Sequence, residues 1–249
     1  MPDLSGQRIL VIGGTAGIGY ACAARMQDAG ATVTLAGRNR ARGEAAAAKL
    51  GAGLVIGDAS EPAQAARMVA EAAEAMGGLD VLLSGAGGDP MPRLLKNIPI
   101  EELMGDITRS LAPVILPARA AYDLMAAKGA GCILMIASDA GKLATPGEAA
   151  IGAAMAGIAM FARGMATEGK RNGIRVNCLT PSIVRGTPLY DKLMTDPFAG
   201  KLFGKAEAMA QLGVAEPDDL AHLATFLASP AARRITGQTI SVTGGISAI

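Results

Sequence analysis

The stretch "RILVIGGTAGIGYACAARM", residues 8–26, decides the fold of this chain. It opens with a short apolar run, passes through Gly13, Gly17 and Gly19, and continues with small and apolar residues at helical spacing. The apolar run predicts a buried strand. The glycines permit a tight turn close to a pyrophosphate, and the following helix offers free N–H groups and a partial positive charge. The stretch therefore predicts a strand–turn–helix unit that binds the phosphates of a nucleotide.

The spacing of these glycines narrows the interpretation. It is Gly-x3-Gly-x-Gly, which differs from the G-x-G-x-x-G of other dinucleotide-binding folds, and no Lys-Ser or Lys-Thr pair follows, which excludes a P-loop. The alternative is a glycine turn that merely connects a strand to a helix. Because the turn lies between the first strand and the first helix, we favour nucleotide binding. The predicted contacts are Gly13, Thr15, Ala16, Gly17, Ile18 and Gly19.

Apolar runs rich in β-branched residues alternate with Ala-rich segments of helical period along the rest of the chain. Continuous apolar runs indicate strands that are covered on both faces, and such strands are parallel. The predicted fold is therefore a Rossmann-type, doubly wound α/β domain with a seven-stranded parallel sheet. No linker divides residues 1–249, and we expect a single domain, with a candidate substrate lid at 181–213 that begins with the irregular segment 181–200. The strands are predicted at 8–14, 31–37, 53–58, 79–87, 131–138, 174–181 and 238–245, and the helices at 18–29, 40–50, 61–76, 100–127, 148–168 and 217–228.

Composition excludes several classes of partner. The chain has 23 basic and 22 acidic residues, and this balance gives no reason to expect nucleic acid or an anionic membrane surface. Cys22, Cys132 and Cys178 have no metal-ligand spacing and read as buried, reduced thiols, and the single His222 adds no metal site. The N-terminus lacks the pattern of a signal peptide, and the uncharged apolar run in 148–161, about 14 residues, is too short to span a bilayer. We expect a soluble, cytoplasmic protein without a metal.

The end of the second predicted strand indicates which cofactor binds. A cofactor with a free 2′-hydroxyl usually meets an acidic residue here, whereas a 2′-phosphate needs a cation. The sequence has Gly37 and then Arg38, with Arg40 and Arg42 nearby. An arginine can hold a phosphate through two parallel charged hydrogen bonds, so we favour NADP(H) over NAD(H). The alternative is ordinary solvated charge at a helix start. Asp58, after the third strand, is then expected to accept a hydrogen bond from the adenine amine.

The motifs together resemble the short-chain dehydrogenase/reductase family over essentially the whole chain. The resemblance rests on "GGTAGIG" (13–19), "GDAS" (57–60), "SGAGG" (84–88), "IASDAG" (136–141), "IRVNCLTPS" (174–182) and "ITGQTISVTGG" (235–245). It implies hydride transfer between NADP(H) and a carbonyl or alcohol. It also implies further cofactor contacts, at Asn39, Ala59, Gly85, Ala86, Gly87, Pro181, Ser182, Ile183 and Thr187.

The catalytic positions of that family are largely replaced. The family protonates the substrate oxygen with a Tyr, which a Lys one helical turn later makes more acidic, while a Ser holds the oxygen and an Asn relays protons. Ser138 matches the serine, but Ile151 stands at the Tyr position and Met155 at the Lys position. The Asn position corresponds to Ser110. Three of the four positions depart from the family pattern, which indicates lost or altered chemistry.

Four other side chains are candidates to replace the missing acid. Asp139 and Lys142 follow Ser138 on the loop that should face the nicotinamide, Glu148 lies a turn before position 151, and Tyr190 lies in the candidate lid. Each has an ordinary structural alternative: loop charges for the first two, a helix-start acid for Glu148 and lid packing for Tyr190.

Three functions remain open from the sequence. The first is an oxidoreductase of altered mechanism that acts on a small, fairly apolar molecule, for which reduction of an activated C=C bond or an iminium carbon would need no Tyr. The second is a catalytically disarmed scaffold or sensor, and the third is a non-redox isomerase, lyase or cyclase. The small residues of 148–168 permit close helix packing. By the family resemblance, the helices 100–127 and 148–168 form the core of a homodimer or homotetramer.

Overall fold

The computed structural model describes residues 2–248 and confirms the predicted α/β architecture. All strand pairs are parallel, and the seven strands lie in the order β3-β2-β1-β4-β5-β6-β7. The chain therefore runs outward from the centre of the sheet in one direction and then in the other, as in a doubly wound fold. The strands are β1 Arg8–Ile12, β2 Thr32–Gly37, β3 Gly53–Ile56, β4 Val81–Ser84, β5 Gly131–Ile136, β6 Ile174–Pro181 and β7 Thr239–Val242.

Eight α-helices connect and cover the strands within residues 2–248. They are α1 Gly17–Asp28, α2 Arg40–Leu50, α3 Pro62–Met76, α4 Ile100–Lys128, α5 Ala149–Gly169, α6 Pro188–Thr195, α7 Pro197–Met209 and α8 Pro217–Ala228. The alternation of side chains along each strand divides the core into two layers. In β1, Leu10 and Ile12 join the layer that α3, α4 and α5 cover, whereas Ile9 and Val11 join the layer under α1, α2 and α8.

Two local expectations are wrong. The segment 181–200 is not irregular, because α6 begins at Pro188 and α7 at Pro197. Each of these helices has proline in its first turn, where the absent N–H has no partner to lose, and each has a side-chain cap, from Thr187 and Asp196 respectively. The fourth strand is also shorter than the predicted 79–87, since it ends at Ser84 and gives way to a glycine-rich loop.

A further correction concerns the apolar run in α5, which was expected to be too short to span a bilayer. Its uncharged run is short, but the helical stretch Ala149–Asn172 contains an 18-residue window with a mean hydropathy of 1.5 and is long and apolar enough to cross a membrane by length and composition. A buried core helix has the same composition, and in the fold Ala154 and Ile158 are fully buried against the sheet layer that α5 covers.

The three cysteines agree with the prediction of buried, reduced thiols. None of them forms a disulfide, and all three are buried. Burial raises the pKa of Cys22 and of Cys178 to about 12. Within residues 2–248, no group of three His, Cys, Asp or Glu side chains is placed to hold a metal ion.

Candidate functional site

A cavity of about 620 Å³ lies where β1, β4, β5 and β6 end. Ligands of doubly wound sheets bind at this edge, outside the carboxyl ends of the strands. All the predicted cofactor contacts except Asn39 line the cavity. Of the residues considered for catalysis, all except Lys142 also line it, and they are Ser110, Ser138, Asp139, Glu148, Ile151, Met155 and Tyr190.

The glycine turn forms one end of this cavity. Gly13 has a φ of +80°, and a β-carbon there would lie 2.9 Å from the main chain of Ala86. A β-carbon on Gly19 would overlap the carbonyl oxygen of Gly13. The turn can therefore close only without side chains at these positions. Because Ala16 has no polar side chain to cap α1, the first N–H groups of this helix remain available to a ligand phosphate.

Arginine side chains flank the glycine turn. Arg38 lines the cavity, its side chain is 65% exposed, and its guanidinium lies 3.7 Å from the carboxylate of Asp58. Arg42 also lines the cavity, and its Nε donates to Thr15 Oγ1 at 3.3 Å. Arg40 instead points away and pairs with Glu44 at 3.6 Å. Arg38 and Arg42 are therefore the two cations placed for a phosphate group, and the sequence alone did not separate Arg42 from Arg40.

Two further predicted cofactor contacts have structural partners of their own. The Asn39 Oδ1 accepts a hydrogen bond from the Arg42 N–H at 2.9 Å and so caps α2, which leaves the N–H groups of its amide as the side-chain donors for a ligand. Asp58 accepts hydrogen bonds from the hydroxyl and the N–H of Ser60, and these two bonds lower the pKa of the carboxyl more than Arg38 does. Asp58 is thus held as an ionised acceptor at the cavity wall.

Ser138 lies at the opposite end of the cavity, directly after β5. It caps a short 3₁₀ turn, Asp139–Gly141, and its Oγ accepts a hydrogen bond from the Ala140 N–H at 3.2 Å. This bond uses only acceptor capacity, so the hydroxyl proton of Ser138 remains free for a ligand in the cavity. The side chain is therefore oriented to donate to a substrate atom.

Helix α5 brings Ile151 and Met155 to the same part of the cavity. The 3₁₀ turn after β5 packs closely on α5, since a β-carbon on Gly141 would lie 2.6 Å from the main chain of Ala156, and one on Gly152 would lie 2.8 Å from the Ala140 carbonyl oxygen. Met155 is only 8% exposed. Ile151, Met155 and Ser138 thus line the same cavity, and the two apolar side chains are those expected from the sequence at the acid and cation positions of the family pattern.

Ser110 approaches from α4 and is 3% exposed. Pro113, inside the same helix, has no N–H to bond the Arg109 carbonyl four residues earlier. Pro117 likewise leaves the Pro113 carbonyl without its helical donor, and the buried Ser84 hydroxyl lies 3.5 Å from that oxygen and 2.9 Å from the Val114 carbonyl oxygen. The prolines of α4 therefore expose carbonyl groups near the end of β4.

Asp139 and Lys142, two of the candidates to replace the missing acid, are bonded to other residues of the chain, although Asp139 lines the cavity. Asp139 is 4% exposed and accepts hydrogen bonds from the hydroxyls of Ser241, at 2.8 Å, and Ser247. Lys142 donates to Ser241 Oγ at 2.7 Å and to the Thr239 carbonyl oxygen at 3.1 Å. Both side chains fasten the loop after β5 to β7 and the segment that follows it.

Tyr190 lines the cavity, as predicted for a lid residue, but its hydroxyl has a partner. It donates to the Glu207 carboxylate at 3.0 Å, and Arg185 pairs with the same carboxylate at 3.0 Å. In this arrangement Tyr190 links α6 to α7 and does not direct its proton at the ligand space.

Helices α6 and α7 cover the substrate end of the cavity with apolar side chains. Gly147 has a φ of +86°, and a β-carbon there would lie 2.6 Å from the ring of Phe198 in α7. The Gly147 carbonyl accepts a hydrogen bond from the Arg93 N–H at 2.8 Å, and this bond connects the loop after β4 to the segment just before α5. The apolar lining residues from this cover are Pro188, Leu189, Leu193, Leu202, Phe203, Ala206 and Met209, and Tyr190 and Lys205 line the cavity from the same two helices.

Glu148 is the remaining candidate acid and lies in this covered part of the cavity. Burial raises the pKa of its carboxyl, although the helix start would favour the ionised form and the Thr145 side chain lowers the pKa. Within residues 2–248, no charged side chain offsets the effect of burial. The carboxyl is therefore a polar group in apolar surroundings, which its place in the sequence did not reveal.

Comparisons with known proteins agree with the fold. A family model described as Enoyl-(Acyl carrier protein) reductase matches residues 13–247. The chain is 32% identical over 250 residues to a glucose 1-dehydrogenase of Gluconobacter oxydans (strain 621H), covering 98% of this chain and 92% of that protein. It is 30% identical over 241 residues to dehydrogenase/reductase SDR family member 4 of Bos taurus, covering 95% and 85%. The crystal structure of a short-chain type dehydrogenase/reductase from Mycobacterium marinum superposes with a TM-score of 0.86 at 28% identity, over 99% of this chain and 97% of that one. The chain therefore belongs to the short-chain dehydrogenase/reductase family.

Proposed function

We propose that the protein is an NADP(H)-dependent oxidoreductase with an altered active site, which transfers hydride to a small, fairly apolar organic molecule. The observation that carries the proposal is the single cavity, which joins the glycine turn and two arginines at one end to Ser138 at the other. The family uses nicotinamide cofactors, and the preference for NADP(H) is the part specific to this chain.

The residues at the glycine turn fit such a cofactor. The turn offers main-chain N–H groups to a phosphate, and its glycines leave room that side chains would fill. Arg38 and Arg42 supply positive charge at the edge of the turn. Gly37 helps, because a β-carbon there would lie 3.0 Å from the Thr15 side chain and close the gap between them. When bound, the reduced cofactor supplies the hydride, and the residues of this chain bind and orient it.

The substrate end of the cavity determines which acceptors suit the site. Ser138 can donate one hydrogen bond, but Ile151 and Met155 supply neither a proton nor a positive charge. A negative charge that develops on a carbonyl oxygen would therefore meet little stabilisation. An iminium carbon accepts hydride without that need, because the addition only neutralises the positive charge of the nitrogen. Hydride addition to an activated C=C bond forms an enolate, whose negative charge is delocalised and could be met by the one hydrogen bond that Ser138 donates. The matching family model is named for an enoyl reductase, and this name supports the C=C alternative.

A disarmed scaffold is the second candidate function, and Ile151 and Met155 are the observation that favours it. The double substitution Ile151→Tyr with Met155→Lys separates the two, as described in the Discussion. For either function we propose a cytoplasmic homodimer or homotetramer through α4 and α5, since Leu124 on α4 and Met160 on α5 are large apolar residues that are 42% and 63% exposed.

Calorimetric titration followed by a turnover screen tests the proposed function. Purified protein freed of bound nucleotide is titrated with NADPH and then with NADH, and the NADPH-loaded protein is offered a panel of ketones, enones and imines while NADPH absorbance is followed. We expect tighter binding of NADPH than of NADH, and NADPH oxidation with an enone or an imine. Binding without oxidation across the panel would favour the scaffold, and no binding of either nucleotide would refute the proposal.

A further inference from the structure

Most titratable side chains near Ser138 already have partners, and Glu148 stands apart from them. Asp139 and Lys142 are bonded to β7 and the segment after it, and the Tyr190 hydroxyl donates to Glu207. Asp89, at the cavity mouth, lies 3.9 Å from Lys192 of α6. The Glu148 carboxyl lines the cavity and is half-buried, and its hydrogen bond with the Thr145 side chain leaves acceptor capacity to meet a ligand.

The apolar residues around Glu148 determine what this carboxyl can do. An isolated carboxylate is unfavourable in such surroundings, whereas a carboxylate paired with a cation is tolerated. Met155 replaces the lysine of the family pattern, so α5 provides no such cation. Lys205 also lines the cavity, but it does not lie within 4.0 Å of the Glu148 carboxylate. A ligand that brings its own positive charge would complete the site.

We propose that Glu148 is the acid of this site and that the substrate is an imine, whose basic nitrogen it protonates and then holds as an ion pair. The inference rests on the proposed function and deepens it by naming the substrate class. A ketone fits less well, because after it had received the proton it would leave a half-buried carboxylate without a cation. An imine forms a cation at the moment when the carboxylate forms, so neither charge is left unpaired.

The proton and the electrons balance as follows. The O–H bond of Glu148 breaks and an N–H bond forms with the lone pair of the imine nitrogen, which gives an iminium cation beside the Glu148 carboxylate. The iminium carbon accepts the hydride that the cofactor supplies, and the C=N π electrons become the lone pair of the amine nitrogen. Glu148 then regains a proton from water. The net reaction consumes one imine, one NADPH and one proton, and it yields one amine and NADP⁺.

The test compares Glu148→Gln with Glu148→Asp and with a control, Glu168→Gln, which alters an exposed glutamate on the same helix. The probe substrate is 2-methyl-1-pyrroline, and 2-methylcyclopentanone is the matched ketone. We expect wild-type protein to reduce the imine and Glu148→Gln to lose about 100-fold or more in kcat/KM, because general acid catalysis contributes this much. Glu148→Asp should recover part of the loss, and Glu168→Gln should behave as wild type.

A binding measurement gives a readout besides turnover. The product, 2-methylpyrrolidine, is titrated into protein saturated with NADP⁺, and we expect Glu148→Gln to weaken its binding while NADPH affinity and the thermal midpoint stay unchanged. The pH profile is a second readout: protonation of both Glu148 and the imine removes the ion pair, so kcat/KM should fall at low pH. The Gln variant should lack this acid limb.

The outcomes separate the inference from the proposed function. Equal imine reduction and equal amine binding in wild type and Glu148→Gln would overturn the inference. Reduction of a ketone or an enone, with neither imine turnover nor amine binding, would also overturn it and would leave the proposed function standing. Amine binding that requires Glu148, without any NADPH oxidation, would support the carboxylate–cation pair and refute hydride transfer.

Discussion

Removal of the Arg38 guanidinium should weaken the binding of NADPH without changing the binding of NADH. A hydrogen bond to a charged group contributes about 1.5–3 kcal/mol, and each 1.4 kcal/mol is about a factor of ten in affinity. The Arg38 side chain is 65% exposed, which places the effect at the lower end of that range. Its pair with Asp58, at 3.7 Å, is a surface ion pair that contributes little to oppose phosphate binding. Arg38→Ala is therefore expected to weaken NADPH binding about tenfold and to leave NADH binding unchanged.

The chain offers a matched control for this measurement. Arg40 is 71% exposed and pairs with Glu44, outside the cavity, so Arg40→Ala removes the same charge without removing a cavity residue. Isothermal titration of NADPH and NADH into both variants and into Arg42→Ala gives the comparison. Equal losses of NADPH affinity in Arg38→Ala and Arg40→Ala would refute the local contact and leave only general electrostatic attraction. A parallel loss of NADH affinity would refute the role of the 2′-phosphate.

Three further variants test other parts of the site. Ile151→Tyr with Met155→Lys is expected to create measurable ketone reduction if the frame is merely disarmed, since it restores the acid and cation of the family pattern. A double variant that binds NADPH but stays silent in a ketone assay would count against the disarmed scaffold. Gly19→Ala is expected to abolish NADPH binding and, in urea titrations, to lower the free energy of unfolding by about 1–3 kcal/mol, because the added methyl overlaps the main chain of the turn. Full NADPH affinity in this variant would contradict the predicted role of the turn. Gly147→Ala is expected to displace α7, because the methyl would meet the Phe198 ring and the backbone at this position has a positive φ. Amide hydrogen exchange in 197–209 should therefore become faster, while NADPH affinity stays constant. Unchanged exchange there would show that the contact between Gly147 and Phe198 does not fix the position of α7.

The sequence predicted the order of the elements well because each strand and helix of a doubly wound sheet has its own local pattern of apolar residues. Buried parallel strands are continuous apolar runs, and α2 and α8 were predicted with their observed bounds. The segment 181–200 was missed although its signals are present, since Thr187-Pro188 and Asp196-Pro197 are both cap-then-proline pairs. No long pattern of apolar residues at helical spacing lies within 181–200, and the short cap-then-proline signals do not by themselves predict helices.

The two ends of the site differ in how far they could be predicted. The cofactor end depends on glycines and on a strand-to-helix turn that lie together in the chain, so its residues could be named from the sequence. The surroundings of Glu148 depend on Phe198 and its helix, which pack over this region from about fifty residues further along. Burial that arises from such distant packing leaves no local pattern, and for this reason the sequence could not distinguish Glu148 from an ordinary helix-start acid.

The most direct test of the central claim is isotope transfer. The protein is incubated with NADPH that carries deuterium at the transferable position of the nicotinamide, together with 2-methyl-1-pyrroline or an enone from the panel, and the product is analysed by mass spectrometry. We expect one deuterium on the carbon that was reduced, in a protein with neither Tyr nor Lys at 151 and 155. Tight NADPH binding with no deuterium in any product would contradict hydride transfer and leave a cofactor-binding scaffold.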